Sequence, residues 1–173
     1  MIGSLEHLKA TWAVPRVADD SGAAMTFPVL CRFSDPVAWD PAAFEAAGFT
    51  LPGDLVAFWG LAGGATLFED VAYGQWGVAL FSPLEAMARE SRTAQSLVES
   101  LEDGDLVIGR FLGDDEGIVI RCRPGELDHG AIVIALPDYD RPEWLNVARS
   151  LDELVGRLTE RPTSKYWEHR TSS

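Results

Sequence analysis

Residues 51–81, LPGDLVAFWGLAGGATLFEDVAYGQWGVALF, constrain the fold more than any other stretch, because a short capped helix, a glycine pair and a glycine-bounded strand follow one another directly. Pro52 suits the first helical position, where a missing N–H costs nothing, and Asp54 sets a negative charge against the positive end of the helix dipole. Leu55, Phe58, Trp59 and Ala62 fall at i, i+3, i+4 and i+7, so they share one side of a helix that must bury that side. Gly63 and Gly64 are expected to stop it, since glycine takes the left-handed conformation common at helix C-termini. Trp76, Val78 and Leu80 then alternate with Gly77, Ala79 and Phe81, the pattern of a strand with one bulky face.

On either side of this stretch, punctuation sets the element lengths. Leu5, Leu8, Lys9 and Trp12 form one side of a short opening helix. Pro15, Pro28, Pro36 and Pro41 then interrupt the path too often for long elements, leaving a short strand at Phe27–Phe33 and a short helix at Pro41–Ala47. Ser82, Pro83 and Glu85 start another helix with a capping serine, a proline at the first position and a glutamate that closes a capping box, and Leu84, Met87 and Ala88 face inward from it. That helix either runs on or breaks and restarts before Leu97, Val98 and Leu101, with Gly104 as its exit.

The second half reads as a sheet closed by a helix. Leu106–Leu112 and Ile118–Cys122 form a hairpin about the turn GDDEG, Ala131–Leu136 is a further strand, and Trp144–Val147 is a short edge strand. Ser150 and Glu153 make a second capping box, and Leu151, Leu154, Val155 and Leu158 line one side of a final helix that must dock on the sheet. No internal repeat or low-complexity linker divides the chain. The expected organisation is a single α+β domain, a twisted antiparallel sheet flanked by helices. Residues 1–50 form its helix- and loop-rich N-terminal part, 51–161 its core, and 162–173 a mobile tail with Tyr166 and Trp167 as possible anchors.

Length and composition bound the function classes. A chain of 173 residues buries enough surface to need no disulfide or metal staple, and no apolar run approaches the roughly 18 residues of a membrane span. The opening MIGSLEHLKATW lacks a basic segment followed by an apolar one, so no secretory signal is expected. Cys31 and Cys122 stand far apart and form no CxxC, which fits reduced, buried thiols in a cytoplasm. With 14 Lys and Arg against 27 Asp and Glu, the formal charge of −13 repels phosphate backbones and anionic lipid. Nucleic acid and membrane are therefore not expected partners. A basic protein is, and acidity that merely maintains solubility is the alternative.

Catalysis finds little support. His7, His129 and His169 stand alone, with no HExxH and no paired Cys-His spacing for zinc. There is no GxSxG elbow, and Gly60-Leu-Ala-Gly-Gly64 is neither a P-loop nor GxGxxG. A carboxylate pair acting as acid and base has too many candidates in so acidic a chain to be assigned. No enzyme, cofactor or metal is expected.

The layout resembles the SUKH superfamily, the SMI1/KNR4-like domain. The residues that carry the resemblance are Leu51, Pro52, Phe58, Gly63 and Gly64, then Gly77 and Leu80, the stretch IGRFLGDDEGIVI from Ile108 to Ile120, and the helix SLDELVGRL from Ser150 to Leu158. Ala62 replaces the asparagine that commonly precedes the family's glycine pair, and the acidic turn lacks the extra glycines often found there. The resemblance implies an N-terminal helical part, an antiparallel sheet and a closing helix. It also implies binding rather than catalysis. Many bacterial relatives look like immunity proteins that bind and neutralise a polymorphic toxin, frequently a nuclease. The alternative is a regulatory or scaffold role linked to cell-wall synthesis, as fungal relatives suggest.

If the partner is a basic toxin domain, contacts should combine exposed carboxylates that guide approach with aromatics that anchor. Three clusters qualify: Glu69 and Asp70 before a turn; Asp114, Asp115 and Glu116 at the hairpin tip; and Asp138 and Asp140 around Tyr139, with Trp144 nearby. The last two rank first because Phe111, Tyr139 and Trp144 adjoin them. Each cluster also reads as ordinary turn chemistry, because Asp hydrogen-bonds its own backbone. The tip lacks the alternating ligands of an EF-hand loop. Trp59 and Trp76 fall on core faces, whereas Trp12, Trp39, Trp144 and Trp167 lie in less regular segments and are the candidates for exposed anchors.

Overall fold

Eight strands taken in chain order lie side by side in one sheet, each antiparallel to its neighbour. They are β1 (Arg16–Val17), β2 (Pro28–Phe33), β3 (Ala65–Asp70), β4 (Val78–Leu80), β5 (Asp105–Phe111), β6 (Gly117–Arg121), β7 (Ile132–Ala135) and β8 (Leu145–Ala148). The helices are α1 (Ile2–Thr11), α2 (Pro41–Ala46), α3 (Gly53–Leu61), α4 (Pro83–Ala88), α5 (Arg92–Leu97) and α6 (Leu151–Glu160), with a 3₁₀ turn at Arg141–Glu143. This computed structural model describes residues 2–18, 27–88, 92–114, 116–136 and 138–168. The expected α+β class is what it shows.

Both faces of the central strands are buried. Leu106, Ile118, Ile120, Ile132 and Ile134 point into a large core with Leu5, Leu8, Phe58, Trp59 and Leu154 from α1, α3 and α6, which touch one another. Val107, Val119, Val133 and Ala135 point the other way, into a smaller core closed by Leu97 and Trp144. The near-continuous apolar runs of β5 to β7 follow from this double burial. Among the described residues no helix is long and apolar enough to cross a membrane.

The capping box at α4 forms as the sequence predicts, and α6 forms one half of its own. Glu85 N–H donates to Ser82 Oγ at 3.1 Å and Ser82 N–H to Glu85 Oε2 at 2.8 Å. At α6, Glu153 N–H donates to Ser150 Oγ at 3.1 Å, while the Glu153 carboxylate reaches one residue further back, to Arg149 N–H at 2.7 Å. Leu151, Leu154, Val155 and Leu158 are all buried.

Several expectations are corrected. The glycine pair does not end α3 through a left-handed cap: Pro52 is the N-cap, and Ala62, the C-cap, is extended (φ −152°). The pair instead lets the chain pass close beside residues 34–35, since a Cβ on Gly63 would lie 2.2 Å from the Asp35 carbonyl oxygen and Gly64 has φ +141°. After Pro83 the described residues form α4 and α5, and residues 89–91 between them lie outside the described residues. Pro83 and Ala86 face inward, whereas Leu84 is 56% exposed and Val98 57%. A helix one and a half turns long leans on the sheet by a narrower edge than its apolar residues suggest.

β3 is absent from the sequence expectations because its side chains do not alternate. Leu67 and Phe68 together oppose Cys31 at a bulge, and both enter the large core. Phe68 adopts φ +55°, a costly conformation for a bulky residue, and its N–H donates to Cys31 Sγ at 3.3 Å. The expected mobile tail is corrected as far as residue 168. Trp167 is 2% exposed, Tyr166 Oη donates to Val147 O at 3.1 Å, and Trp76 Nε1 donates to Pro162 O at 2.8 Å. Residues 169–173 lie outside the described residues.

Candidate protein-interaction face

Topology decides which acidic clusters can act together. With strands paired antiparallel in chain order, the β3–β4, β5–β6 and β7–β8 connections all leave from one end of the sheet. The first two touch, because Gly113 packs on the Gln75 carbonyl so closely that a Cβ would lie 2.1 Å from its oxygen. The third folds away: Arg141 reaches Glu102 and Asp105, at the opposite end of β5.

Glu69 and Asp70 belong to the scaffold. Asp70 is 6% exposed and its Oδ1 accepts Ala72 N–H at 2.7 Å, closing the turn after β3. Glu69 accepts from Arg32 Nε at 2.9 Å across the β2–β3 pair. Neither presents an unopposed charge.

The hairpin tip has an internal counter-ion. Lys165, its side chain only 5% exposed, donates to the Asp114 carboxylate and lies 3.0 Å from Glu116 Oε1, 3.6 Å from Glu168 and 4.3 Å from the centre of the Phe111 ring. Burial pushes the Glu116 carboxyl up from the ordinary range, an effect that the Lys165 hydrogen bond only partly offsets. Burial also pulls on the Lys165 ammonium, but hydrogen bonds to Asp114 and Glu116 outweigh it and hold its pKa above 10.5. Asp115 lies outside the described residues.

Asp138, Tyr139 and Asp140 are exposed, with Tyr139 at 54%. Asp140 N–H donates to Glu143 Oε2 at 3.2 Å, which fixes the start of the 3₁₀ turn. Among the described residues no ion pair engages Asp138 or Asp140. This cluster therefore presents carboxylates around an accessible aromatic ring.

Trp144 is not an exposed anchor. At 8% exposure it packs against Leu97, Val107, Val119 and Val133, with the Arg141 guanidinium 5.1 Å from its ring centre. Arg141 Nε also lies 2.9 Å from Glu102 Oε1, and its Nη1 donates to Ser100 O at 3.1 Å and to Asp105, whose side chain is 1% exposed. Two of the other proposed anchors are similarly buried, Trp12 at 9% exposure and Trp167 at 2%, while Trp39 is half-buried and packs edge-on to Trp59. Irregular local sequence therefore did not mean full exposure.

No local signal marked the cations. Lys165 sits in a tail segment without periodicity, and its hydrogen-bond partner Asp114 is 51 residues away. Arg32 and Arg110 line a groove of about 440 Å³ with Thr66, Ala79 and Glu85. The thiols of Cys31 and Cys122 are buried and pushed up to about 12 by that burial. Among the described residues no group of His, Cys, Asp and Glu could hold a metal ion.

Comparison with curated proteins gives no match. The SMI1/KNR4 family (SUKH-1) matches residues 40–157, from the N-cap of α2 into α6 and well over half the sequence, and the chain belongs to that family.

Proposed function

We propose that the protein is a non-catalytic binding domain that acts in the cytoplasm as an immunity protein, occupying and neutralising a bacterial polymorphic toxin with a basic surface. The observation that carries this reading is the Asp138–Tyr139–Asp140 turn, where carboxylates with no ion pair among the described residues flank a ring that is 54% exposed, in a family member of formal charge −13. An accessible tyrosine supplies apolar area at low entropic cost, and the carboxylates favour approach by a cationic surface that would otherwise hold a phosphate backbone. Residues 1–50 belong to the same domain as 51–161 on this reading, supported by the burial of Leu5 and Leu8 in the large core.

The test is co-expression with the toxin domains encoded beside the protein. Growth rescue together with a stoichiometric complex in pull-down is the expected result. Failure to rescue any of them, with no complex formed, overturns immunity, and turnover of a substrate by the purified protein overturns the non-catalytic assignment.

A further inference from the structure

The helical layer formed by α1, α3 and α6 covers one face of the sheet, whereas Leu97 of α5 and Trp144 cover part of the other. On that second face a groove lies along part of β2 to β5. The strand registers place Arg32, Thr66, Ala79 and Arg110 opposite one another in a single row across four strands. Thr66 and Ala79 are too short to fill the space between the arginines, and the groove of about 440 Å³ results. Its size falls within the range of ligand sites.

The two arginines of the groove differ from its other lining residues in the donors they offer. Arg121, Arg123, Arg141 and Arg157 each hold a carboxylate within the protein. Arg110 is half-buried at the groove and its side chain has, among the described residues, no ion-pair or hydrogen-bond partner. Arg32 holds Glu69 but its side chain is 66% exposed, so most of its donor fork remains available. Glu85, at the wall, already gives one oxygen to Ser82 N–H. In a protein with 27 acidic residues, an unpaired arginine in a concave site is placed to receive a carboxylate from outside.

We propose that this groove binds an extended, acidic segment of a polypeptide partner, with Arg110 and Arg32 each taking one carboxylate. Paired strands lie about 4.8 Å apart, so arginines three strands apart are separated by roughly 14 Å. An extended chain rises about 3.3 Å per residue, so side chains four positions apart point the same way and stand roughly 13 Å apart. The matching motif is two Asp or Glu residues with three residues between them, laid across the strands. This site differs in place and polarity from the Asp138–Asp140 turn and does not rest on the toxin reading.

The experiment pans random peptides displayed on phage against the wild-type protein and against Arg110→Ala, then measures the enriched peptide by fluorescence anisotropy. Enrichment of acidic residues four positions apart is expected, with affinity at least tenfold weaker in Arg110→Ala, about threefold weaker in Arg32→Ala, and less salt-sensitive in both. Arg110→Gln, checked for an unchanged melting temperature, replaces Arg110→Ala if that variant does not fold. Peptides without this pattern, equal binding by the arginine variants, or no peptide retained above background each overturn the proposal.

Discussion

Lys165 Nζ lies 3.0 Å from Glu116 Oε1, a contact that fastens the segment after α6 to the tip of the β5–β6 hairpin. Replacing Lys165 by Met leaves Glu116 largely buried with no cation beside it. Loss of one partner from a fully buried pair costs about 3–5 kcal/mol, and the exposure of Asp114 lowers the expectation here to about 2–3 kcal/mol, measured by urea denaturation. The pH dependence has a defined sign. Both groups have raised pKa values in the fold, so each contributes stability that is complete below its unfolded value and lost as pH rises through its folded one. For Lys165 that window opens above 10.5. For Glu116 it opens above 4.5, and without Lys165 its carboxyl rises further, so the variant loses more stability than wild type as pH increases from there. A constant difference between the two proteins across that range would show that the contact carries no energy.

Arg141 and Asp105 form the second buried pair, on the opposite end of β5. Arg141→Met keeps the aliphatic packing on Trp144 but strands a carboxylate that is 1% exposed. The expected loss is about 3–5 kcal/mol. Asp105→Asn in the same background should recover part of it, because the amide removes the uncompensated charge, and a double-mutant cycle reads the coupling directly. Strict additivity would show that the two side chains act independently.

Trp59 is 1% exposed, lies with ring centres 5.3 Å from both Trp39 and Phe44, and donates from Nε1 to Phe81 O at 3.0 Å. Trp59→Ala is expected to lose about 3–5 kcal/mol through the cavity it opens. Trp144→Ala should behave in the same way, as a core truncation rather than a binding defect. An unchanged urea midpoint in either variant would contradict its core placement.

What the sequence revealed followed local physics. The capping residues Ser82 and Ser150 and the period of α6 state their roles within a few residues, and α6 buries the four side chains its spacing selects. β3 escaped notice because the bulge at Phe68 breaks the two-residue alternation that identifies a strand. The site was less legible. Whether Asp114 is a free charge depends on a lysine 51 residues away, and whether Trp144 is exposed depends on how its loop folds back onto Val107 and Val119. Such pairings are fixed by tertiary geometry and leave no trace in local spacing.

Cys31 Sγ accepts the N–H of Phe68, the one described non-glycine residue with positive φ. Cys31→Ala leaves that buried donor without a partner, an expected loss of about 1–3 kcal/mol, whereas Cys31→Ser retains an acceptor and should lose less. Both thiols are buried and pushed up to about 12, so at pH 8 they are neutral. Labelling by a thiol reagent should therefore require opening of the fold and accelerate with added urea. Rapid labelling in the absence of denaturant would overturn that placement.

Partner binding should separate the acidic clusters that looked equivalent in sequence. Reversing Asp114 and Glu116 to Lys attacks the Lys165 contact, so those variants should lose stability first and binding only as a consequence. Asp138→Lys with Asp140→Lys removes exposed charge that no ion pair uses, so stability should stay within about 0.5 kcal/mol of wild type. Association with the co-expressed basic toxin domain should slow several-fold at low salt, and the difference should shrink as salt rises, because exposed charges act through a field that salt screens. Tyr139→Ala should act on the other rate: loss of a half-exposed anchor ring is worth about 1–3 kcal/mol at a binding centre, which appears as faster dissociation. Stopped-flow association and surface-plasmon dissociation measure the two separately. If the lysine variants associate at the wild-type rate and Tyr139→Ala dissociates no faster, the β7–β8 turn is not the surface of the proposed interaction.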